Sequence, residues 1–105
     1  MSIEGLEERV IKVCAGWGLY DDVNATDSTR FAKLEEEVAE LEEALFATGA
    51  LSQIQMESGD VIVTLINILH KKGLNLESCL AAAYMKIKDR KGKMINGSYV
   101  KEEDL

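Results

Sequence analysis

The segment Glu57–Leu69, ESGDVIVTLINIL, most constrains the fold of this chain. On a helical wheel at about 100° per residue, its polar side chains fall on one narrow strip and its apolar side chains cover nearly all the rest. The strip consists of Glu57, Asp60, Thr64 and Asn67. A helix that is apolar around most of its circumference is typical of a buried helix. The pattern therefore predicts a central helix with two carboxylates at its head.

The length of the chain limits how that helix can be covered. With 105 residues, one domain spanning residues 1–105 is expected, with a core of modest size. Four helices barely surround a central one at this length. We therefore expect a second subunit to cover the remaining side, in a homodimer or homotetramer.

Helical spacing recurs along the chain, which contains no proline. It predicts an all-α fold with helices from Ile3 to about Ala15, from about Ser28 to Ala47, and from near Leu51 to the Gly73 stop, and a fourth helix whose apolar side uses Leu76, Leu80, Ala83 and Ile87. Asp27 or Ser28 is expected to cap the second helix, and Asn75 the fourth. Beyond Arg90 the pattern changes, and Asn96-Gly97 predicts a short hairpin or an ordered tail.

The charge and the cysteines restrict the class of function. A net charge of −7 argues against a nucleic-acid-binding surface, because phosphate backbones need clustered cations. No segment is apolar over a length that spans a bilayer, and no apolar signal core is present, so a cytoplasmic protein is expected. Cys14 and Cys79 are not in a CxxC pair, and two buried free thiols are favoured over a single disulfide.

The second helix carries its own acids in KLEEEVAELEEAL. Lys33, Glu37 and Glu40 share a strip beside the apolar stripe. If the second and third helices form an antiparallel hairpin, as their short connection favours, Glu37 and Glu40 can face Glu57 and Asp60.

Facing carboxylates cannot all stay ionised without a cation, and all-oxygen ligands favour Mg²⁺, with Mn²⁺ as a substitute. A glutamate-rich helix by itself is usually a solvated face. The conjunction of ExxE with ExxD on an otherwise apolar helix indicates a metal site.

These residues resemble a known family. KLEEEVAELEEAL followed by ESGD is similar to the EExxE and ExxD motif pair of the MazG-like all-α nucleoside triphosphate pyrophosphatases, and the tail AYMKIKDRKGKMINGSYVKEED is similar to that of short MazG-like proteins. The resemblance implies a four-helix MazG-like bundle completed by homo-oligomerisation. It also implies Mg²⁺-dependent hydrolysis of nucleoside triphosphates, ribose or deoxyribose, to the monophosphate and pyrophosphate, for trimming or cleaning the nucleotide pool.

The resemblance also assigns roles to residues. The metal ligands implied are Glu37, Glu40, Glu57 and Asp60, and the implied catalytic set is Glu36, Glu37 and Glu40, with Glu36 as a further ligand or as the group that orients the attacking water. Substrate contacts are implied for Lys33, Asn67, Lys86 and Arg90. For Lys86 and Arg90 the alternative is a cationic helix end that complements the helix dipole.

Three positions depart from the family pattern. Met85 stands where an asparagine is expected, Val13 where a tryptophan is common, and Arg30 where a glutamine is common. Trp17 could stack on a base instead, or simply pack. These departures leave the preferred base open. They are compatible with two alternatives to an enzyme. In the first, the chain is a non-catalytic helical dimer that binds a nucleotide or a protein partner. In the second, it is a purely structural helical bundle.

Overall fold

The computed structural model describes all 105 residues. Four α-helices are followed by a two-stranded antiparallel hairpin, which confirms the predicted all-α class and the short C-terminal ribbon. The elements are α1 (Ile3–Gly16), α2 (Asp27–Glu43), α3 (Leu51–Lys71), α4 (Leu76–Ile87), β1 (Gly92–Ile95) and β2 (Ser98–Lys101). A 3₁₀ turn, Glu102–Asp104, ends the chain.

The start of α2 corrects one prediction. The cap is Thr26, whose hydroxyl accepts a hydrogen bond from the backbone N–H of Thr29, while the Thr29 hydroxyl accepts from the Thr26 N–H. Neither Asp27 nor Ser28 is the cap, because both already lie inside the first turn. Asp27 instead binds Lys72, with Oδ2 2.7 Å from Nζ. The predicted cap of α4, Asn75, is confirmed, and its side chain accepts from the Ser78 N–H.

The end of α2 also differs from the prediction. The α-helix stops at Glu43, and residues Ala44–Thr48 continue as one π-helical turn. The Thr48 hydroxyl donates to the Ala44 carbonyl oxygen at 3.0 Å. Gly49, at φ 64°, ends the turn in the left-handed conformation that glycine adopts without strain. The chain then reverses into α3, so that α2 and α3 form the antiparallel pair that dominates the packing.

Within a single chain α3 is covered only in part, and the second subunit that is expected to cover its remaining side stays a prediction. Only Thr64, Ile66 and Asn67 of this helix are buried, and Ile62 remains 47% exposed. The buried hydrophobic residues of the whole chain are Cys14, Ala44 and Ile66. The reason is the arrangement of the helices: α3 packs mainly on α2 and less on α1, whereas α4 packs on α1 and has no buried residue.

A buried carboxylate links α1 to α4. Glu7 is buried, and its two side-chain oxygens accept hydrogen bonds from the backbone N–H of Leu76 at 3.0 and 3.4 Å. Leu76 is the first residue of α4, so the carboxylate satisfies a helix N–H that has no partner within the helix and lies at the positive end of the helix dipole.

Replacing Glu7 with alanine should lower the free energy of unfolding by about 1–3 kcal/mol, because the partly buried Leu76 N–H loses its acceptor. Urea unfolding followed by circular dichroism, at a fixed protein concentration, measures this change. The exposed neighbour provides the control, since Glu8→Ala should change stability by less than about 0.5 kcal/mol. Equal effects of the two substitutions would contradict the assignment.

The hairpin has the turn predicted from Asn96-Gly97. Both residues have positive φ, 51° and 83°, and the strands pair from Gly92 opposite Lys101 to Ile95 opposite Ser98. At Gly92 a side chain would collide with the backbone oxygen of Val100, so close strand approach requires glycine there.

Two further predictions can be compared with the structure. Cys14 and Cys79 are free thiols, and whereas Cys14 is buried as expected, Cys79 is only half-buried. None of the helices has both the length and the apolar character needed to cross a membrane.

Candidate active site

Four carboxylates meet in the groove between α2 and α3. Glu37 and Glu40 are three residues apart on α2, and Glu57 and Asp60 are three apart on α3, so each pair lies on one helix face. One oxygen of each residue can be chosen so that all four lie within 4.8 Å of one another. The antiparallel pairing of the two helices therefore brings together the four residues that the motifs singled out. We call them the acidic cluster.

The acidic cluster extends from the protein interior to solvent. Glu37 is buried, Glu57 is half-buried, and Glu40 and Asp60 are exposed. Oε2 of Glu37 and Oε2 of Glu57 are both fully buried and have no hydrogen-bond partner. A buried carboxylate oxygen without a donor is costly, and native proteins rarely leave one unsatisfied. The two oxygens thus identify the inner side of the cluster as a place that requires a positive ligand.

Mutual repulsion within the cluster is visible in the protonation of Glu40. A hydrogen bond and a like charge from Glu37, together with desolvation and the nearby Glu57, raise the pKa of Glu40 to about 7. At neutral pH this carboxyl group therefore holds a proton for part of the time, shared with its neighbours. A bound cation would displace that proton and relieve the repulsion.

The donor set fits a hard divalent cation. All four donors are carboxylate oxygens, which Mg²⁺, Mn²⁺ and Ca²⁺ prefer over nitrogen or sulfur ligands. Opposite ligands of an octahedral Mg²⁺ lie about 4.2 Å apart, and the 4.8 Å span of the cluster is only slightly wider. Two observations therefore favour a hard divalent cation at this position: the unpartnered Oε2 atoms of Glu37 and Glu57, and a donor set made only of carboxylate oxygens.

Lys33 and Glu36 lie beside the cluster. Lys33 Nζ is 3.2 Å from Glu36 Oε1 and 3.3 Å from Glu37 Oε1. Hydrogen bonds to these two carboxylates raise the pKa of Lys33 above its ordinary value, and Glu36 makes the larger contribution. Glu36 is exposed and is not among the four clustered residues. Lys33 thus links Glu36, which lies outside the acidic cluster, to Glu37, which is a member of it.

A cavity of about 140 Å³ continues the groove toward the start of α2. Its walls include Arg30 and Lys33 from α2, Thr64 and Asn67 from α3, and Leu19 from the loop after α1. Lys33 and Thr64 are each one helical turn from a member of the acidic cluster, Glu37 and Asp60 respectively. The cavity and the acidic cluster are therefore adjoining parts of one groove. We call the cavity the groove pocket.

Tyr20 was not predicted to belong to this site. Its hydroxyl donates a 2.6 Å hydrogen bond to Oδ1 of Asn67, which leaves the Asn67 amide nitrogen to donate elsewhere. Burial and the neighbouring Cys14 raise the pKa of Tyr20 to about 12, so the hydroxyl stays protonated as a donor. Its ring also packs on that of His70, with centroids 4.4 Å apart. A contact across 47 residues of sequence has no local pattern by which it could have been found.

The other predicted substrate contacts lie elsewhere in a single chain. Lys86 and Arg90 line a separate cavity of about 640 Å³ with Lys101, Glu102 and other charged residues of the C-terminal region, and no member of the acidic cluster lines it. Trp17 follows α1 directly, is 73% exposed and does not line the groove pocket. Among the departing positions, Val13 and Met85 are exposed, whereas Arg30 lies in the groove pocket.

Comparison with known proteins agrees with this geometry. The family model described as "Phosphoribosyl-ATP pyrophosphohydrolase" matches residues 15–87, well over half of the chain and a range that contains all four clustered carboxylates. Neither the comparison with curated proteins nor that with solved structures gives a match. With its all-α fold, the chain belongs to the phosphoribosyl-ATP pyrophosphohydrolase family, within the MazG-like nucleotide pyrophosphohydrolases.

Proposed function

We propose that the protein hydrolyses nucleoside triphosphates, ribose or deoxyribose, to the monophosphate and pyrophosphate, with Mg²⁺ as its cofactor and Mn²⁺ as a substitute. The observation that carries this proposal is the acidic cluster, in which two buried carboxylate oxygens have no donor. The family match supports the reaction type, pyrophosphohydrolysis. A polyphosphate can bind beside this cluster only when cations lie between the negatively charged phosphates and the negatively charged carboxylates.

The clustered residues Glu37, Glu40, Glu57 and Asp60 would hold the cation, which supplies neutralisation of the charge that builds on the leaving pyrophosphate. Lys33 lies 3.3 Å from Glu37 and is exposed enough to turn toward a phosphate oxygen. That rotation would free Glu36, whose carboxylate Lys33 now holds. Glu36 would then be available to orient the attacking water, and Asn67, which lines the groove pocket, would contact the substrate there.

The unit of function proposed here is a homo-oligomer, a dimer or tetramer of single-domain chains spanning residues 1–105. Several large apolar side chains of α3 and α4 are exposed, including Ile62, Leu80, Tyr84 and Ile87. A contiguous exposed patch of large apolar side chains typically marks a protein–protein interface, and we propose that these side chains contribute to one. A second copy that covers these helices would also bring its own Lys86 and Arg90 toward the acidic cluster, which neither residue reaches within one chain.

Phosphoribosyl-ATP is the second candidate substrate. The observation that favours it is the description of the matching family, whose model covers residues 15–87. The chemistry would be the same, since the cleaved bond is again a phosphoanhydride of a nucleotide. The two candidates differ only in what the groove must hold beyond the triphosphate.

The decisive assay is pyrophosphate release from a panel of nucleoside and deoxynucleoside triphosphates and phosphoribosyl-ATP. Release with Mg²⁺ that EDTA abolishes, with monophosphate as co-product, is the expected result for at least one nucleoside triphosphate. Release from phosphoribosyl-ATP alone would replace the first candidate by the second. No release from any compound, by protein shown to be folded and oligomeric, would overturn the enzymatic proposal in favour of a nucleotide- or protein-binding module.

Metal binding can be tested without substrate. Mg²⁺ at ten times its dissociation constant should raise the free energy of unfolding by about 1.4 kcal/mol, because the cation binds only the folded cluster. For a chain of this size that corresponds to a melting temperature higher by roughly 5–10 °C. Differential scanning calorimetry against NaCl of equal ionic strength makes the measurement. Equal melting temperatures in the two salts would contradict the metal site.

A further inference from the structure

The groove pocket contains a buried cation that has no adequate partner. The side chain of Arg30 is only 10% exposed, and its single ion-pair contact, from Nη1 to Oδ1 of Asp27, is 4.0 Å long. That distance is too long for a hydrogen bond. Asp27 is instead bound by Lys72 at 2.7 Å. The Nε–H of Arg30 is fully buried and has no hydrogen-bond partner.

A buried N–H of a guanidinium that has no acceptor is costly, because burial removes its water and no protein group replaces it. It therefore indicates that a bound acceptor is missing. The guanidinium presents a planar fork of N–H donors, which matches two acceptors lying side by side. The neighbouring Asn67 can add a further donor through its amide nitrogen, since its oxygen already accepts a hydrogen bond from the Tyr20 hydroxyl. The pocket is thus rich in donors and suits a ligand that is rich in acceptors.

The shape and walls of the pocket narrow the choice of acceptor. Its volume is about 140 Å³, and an engineered cavity of about 150 Å³ in another protein holds benzene. The pocket therefore admits one six-membered ring, or the O6–N7 edge of a purine whose other atoms lie in the open groove. Leu19 and Ala25 provide apolar walls, which suit the faces of a planar ring and not a fully charged phosphate.

The position of the pocket suits a nucleobase. Arg30 precedes Glu37 by seven residues on α2, which is about 10 Å along the helix axis. This separation leaves room for a pentose between a base in the pocket and phosphates at the acidic cluster.

We propose that Arg30 is a specificity-determining residue that selects nucleotides whose base carries a keto oxygen at the edge facing the pocket, over those that carry an amino group there. The inference rests on the proposed function and adds its substrate class. A keto group at position 6 of a purine, beside N7, offers two acceptors to the fork, as in the arginine–guanine pairs of protein–DNA complexes. An amino group at the same position would place its N–H donors against the N–H donors of the Arg30 guanidinium, and no hydrogen bond could form between them.

Matched substrate pairs test the proposal. Inosine and adenosine triphosphates differ in keto or amino substitution at position 6 and in the proton that the keto base carries on N1, and uridine and cytidine triphosphates differ in the same way at position 4 and N3. We expect kcat/KM to favour the keto member of at least one pair by on the order of 10- to 100-fold, the discrimination typical of a bidentate pair. Arg30→Gln should abolish this ratio, since glutamine both donates and accepts. Arg30→Lys, which keeps the charge without the fork, should reduce it.

The exposed Arg9 of α1 supplies the control, because Arg9→Gln removes the same charge outside the groove and should leave the ratio unchanged. Equal kcat/KM for both members of both pairs would overturn the proposal. So would a keto preference that survives in Arg30→Gln. An Arg30→Gln variant that loses stability or oligomeric state with an unchanged ratio would assign the side chain to structure, which also overturns it.

A binding measurement separates this proposal from the proposed function. Isothermal titration with inosine and adenosine monophosphates reports the pocket without turnover. Tighter binding of inosine monophosphate, lost in Arg30→Gln, would support the pocket assignment even if no pyrophosphate is released. Pyrophosphate release without any base preference would support the enzyme and overturn the role of Arg30.

Discussion

The Glu57→Gln substitution should lower Mg²⁺-dependent pyrophosphate release by at least about 100-fold. Residues outside the ligand shell of a metal site typically contribute 10- to 100-fold, and Glu57 lies inside the acidic cluster. The same substitution should raise the melting temperature of the metal-free protein. Glutamine removes one of the like charges and can donate to a neighbouring carboxylate, in a position where Oε2 of Glu57 is buried without a partner.

The opposite signs of these two effects make the test specific. Steady-state kinetics measures the first effect, and calorimetry in EDTA measures the second. Glu42→Gln removes the same charge from an exposed position of α2 and should change neither quantity appreciably. A Glu57→Gln enzyme with full activity would contradict the ligand assignment. A loss of both activity and metal-free stability would indicate a structural carboxylate.

The Leu80→Glu substitution should dissociate the oligomer. Leu80 lies on α4, which has no buried residue in the single chain, and it is 72% exposed there. Burial of one leucine side chain contributes about 1.5–3 kcal/mol, and a symmetric dimer buries two. The dissociation constant should therefore rise by at least about 100-fold. Sedimentation velocity over a range of protein concentrations makes the measurement.

The loss of assembly should also remove activity if the partner copy supplies Lys86 and Arg90. Val23→Glu is the control for the introduced charge and should leave assembly and activity unchanged, since Val23 is also an apolar and highly exposed residue but lies in the loop before α2. A wild-type protein that sediments as a monomer with full activity would overturn the oligomeric proposal. An oligomer that survives Leu80→Glu would move the interface away from this face of α4.

Part of the candidate site could be predicted from sequence because its geometry is local. Glu37 and Glu40, like Glu57 and Asp60, are three residues apart on a helix, and this spacing alone places each pair on one face. The short connection then makes the two helices antiparallel neighbours. The Asn96-Gly97 turn is local in the same sense, since its positive φ values follow from the residue types.

Other features depend on contacts between distant segments. The hydrogen bond from Tyr20 to Asn67 joins a loop to α3, and the bond from Leu76 N–H to Glu7 joins α4 to α1. The position of α4, away from the acidic cluster, follows from its packing on α1. No periodicity reports such contacts, because each depends on how whole helices are oriented.

The sequence by itself determined the helices, the hairpin and the identity of the four clustered carboxylates, since these follow from spacing, turn chemistry and charge. It did not determine what covers α3, because apolar spacing shows which face avoids water and not which element packs on that face. Only the tertiary structure decided that Arg30, which the sequence marked only as a departure from the family pattern, is largely buried at the end of the groove with an Nε–H that has no partner. Burial of that kind arises when α2, α3 and the loop after α1 close around one side chain, and it is therefore a property of the packed molecule.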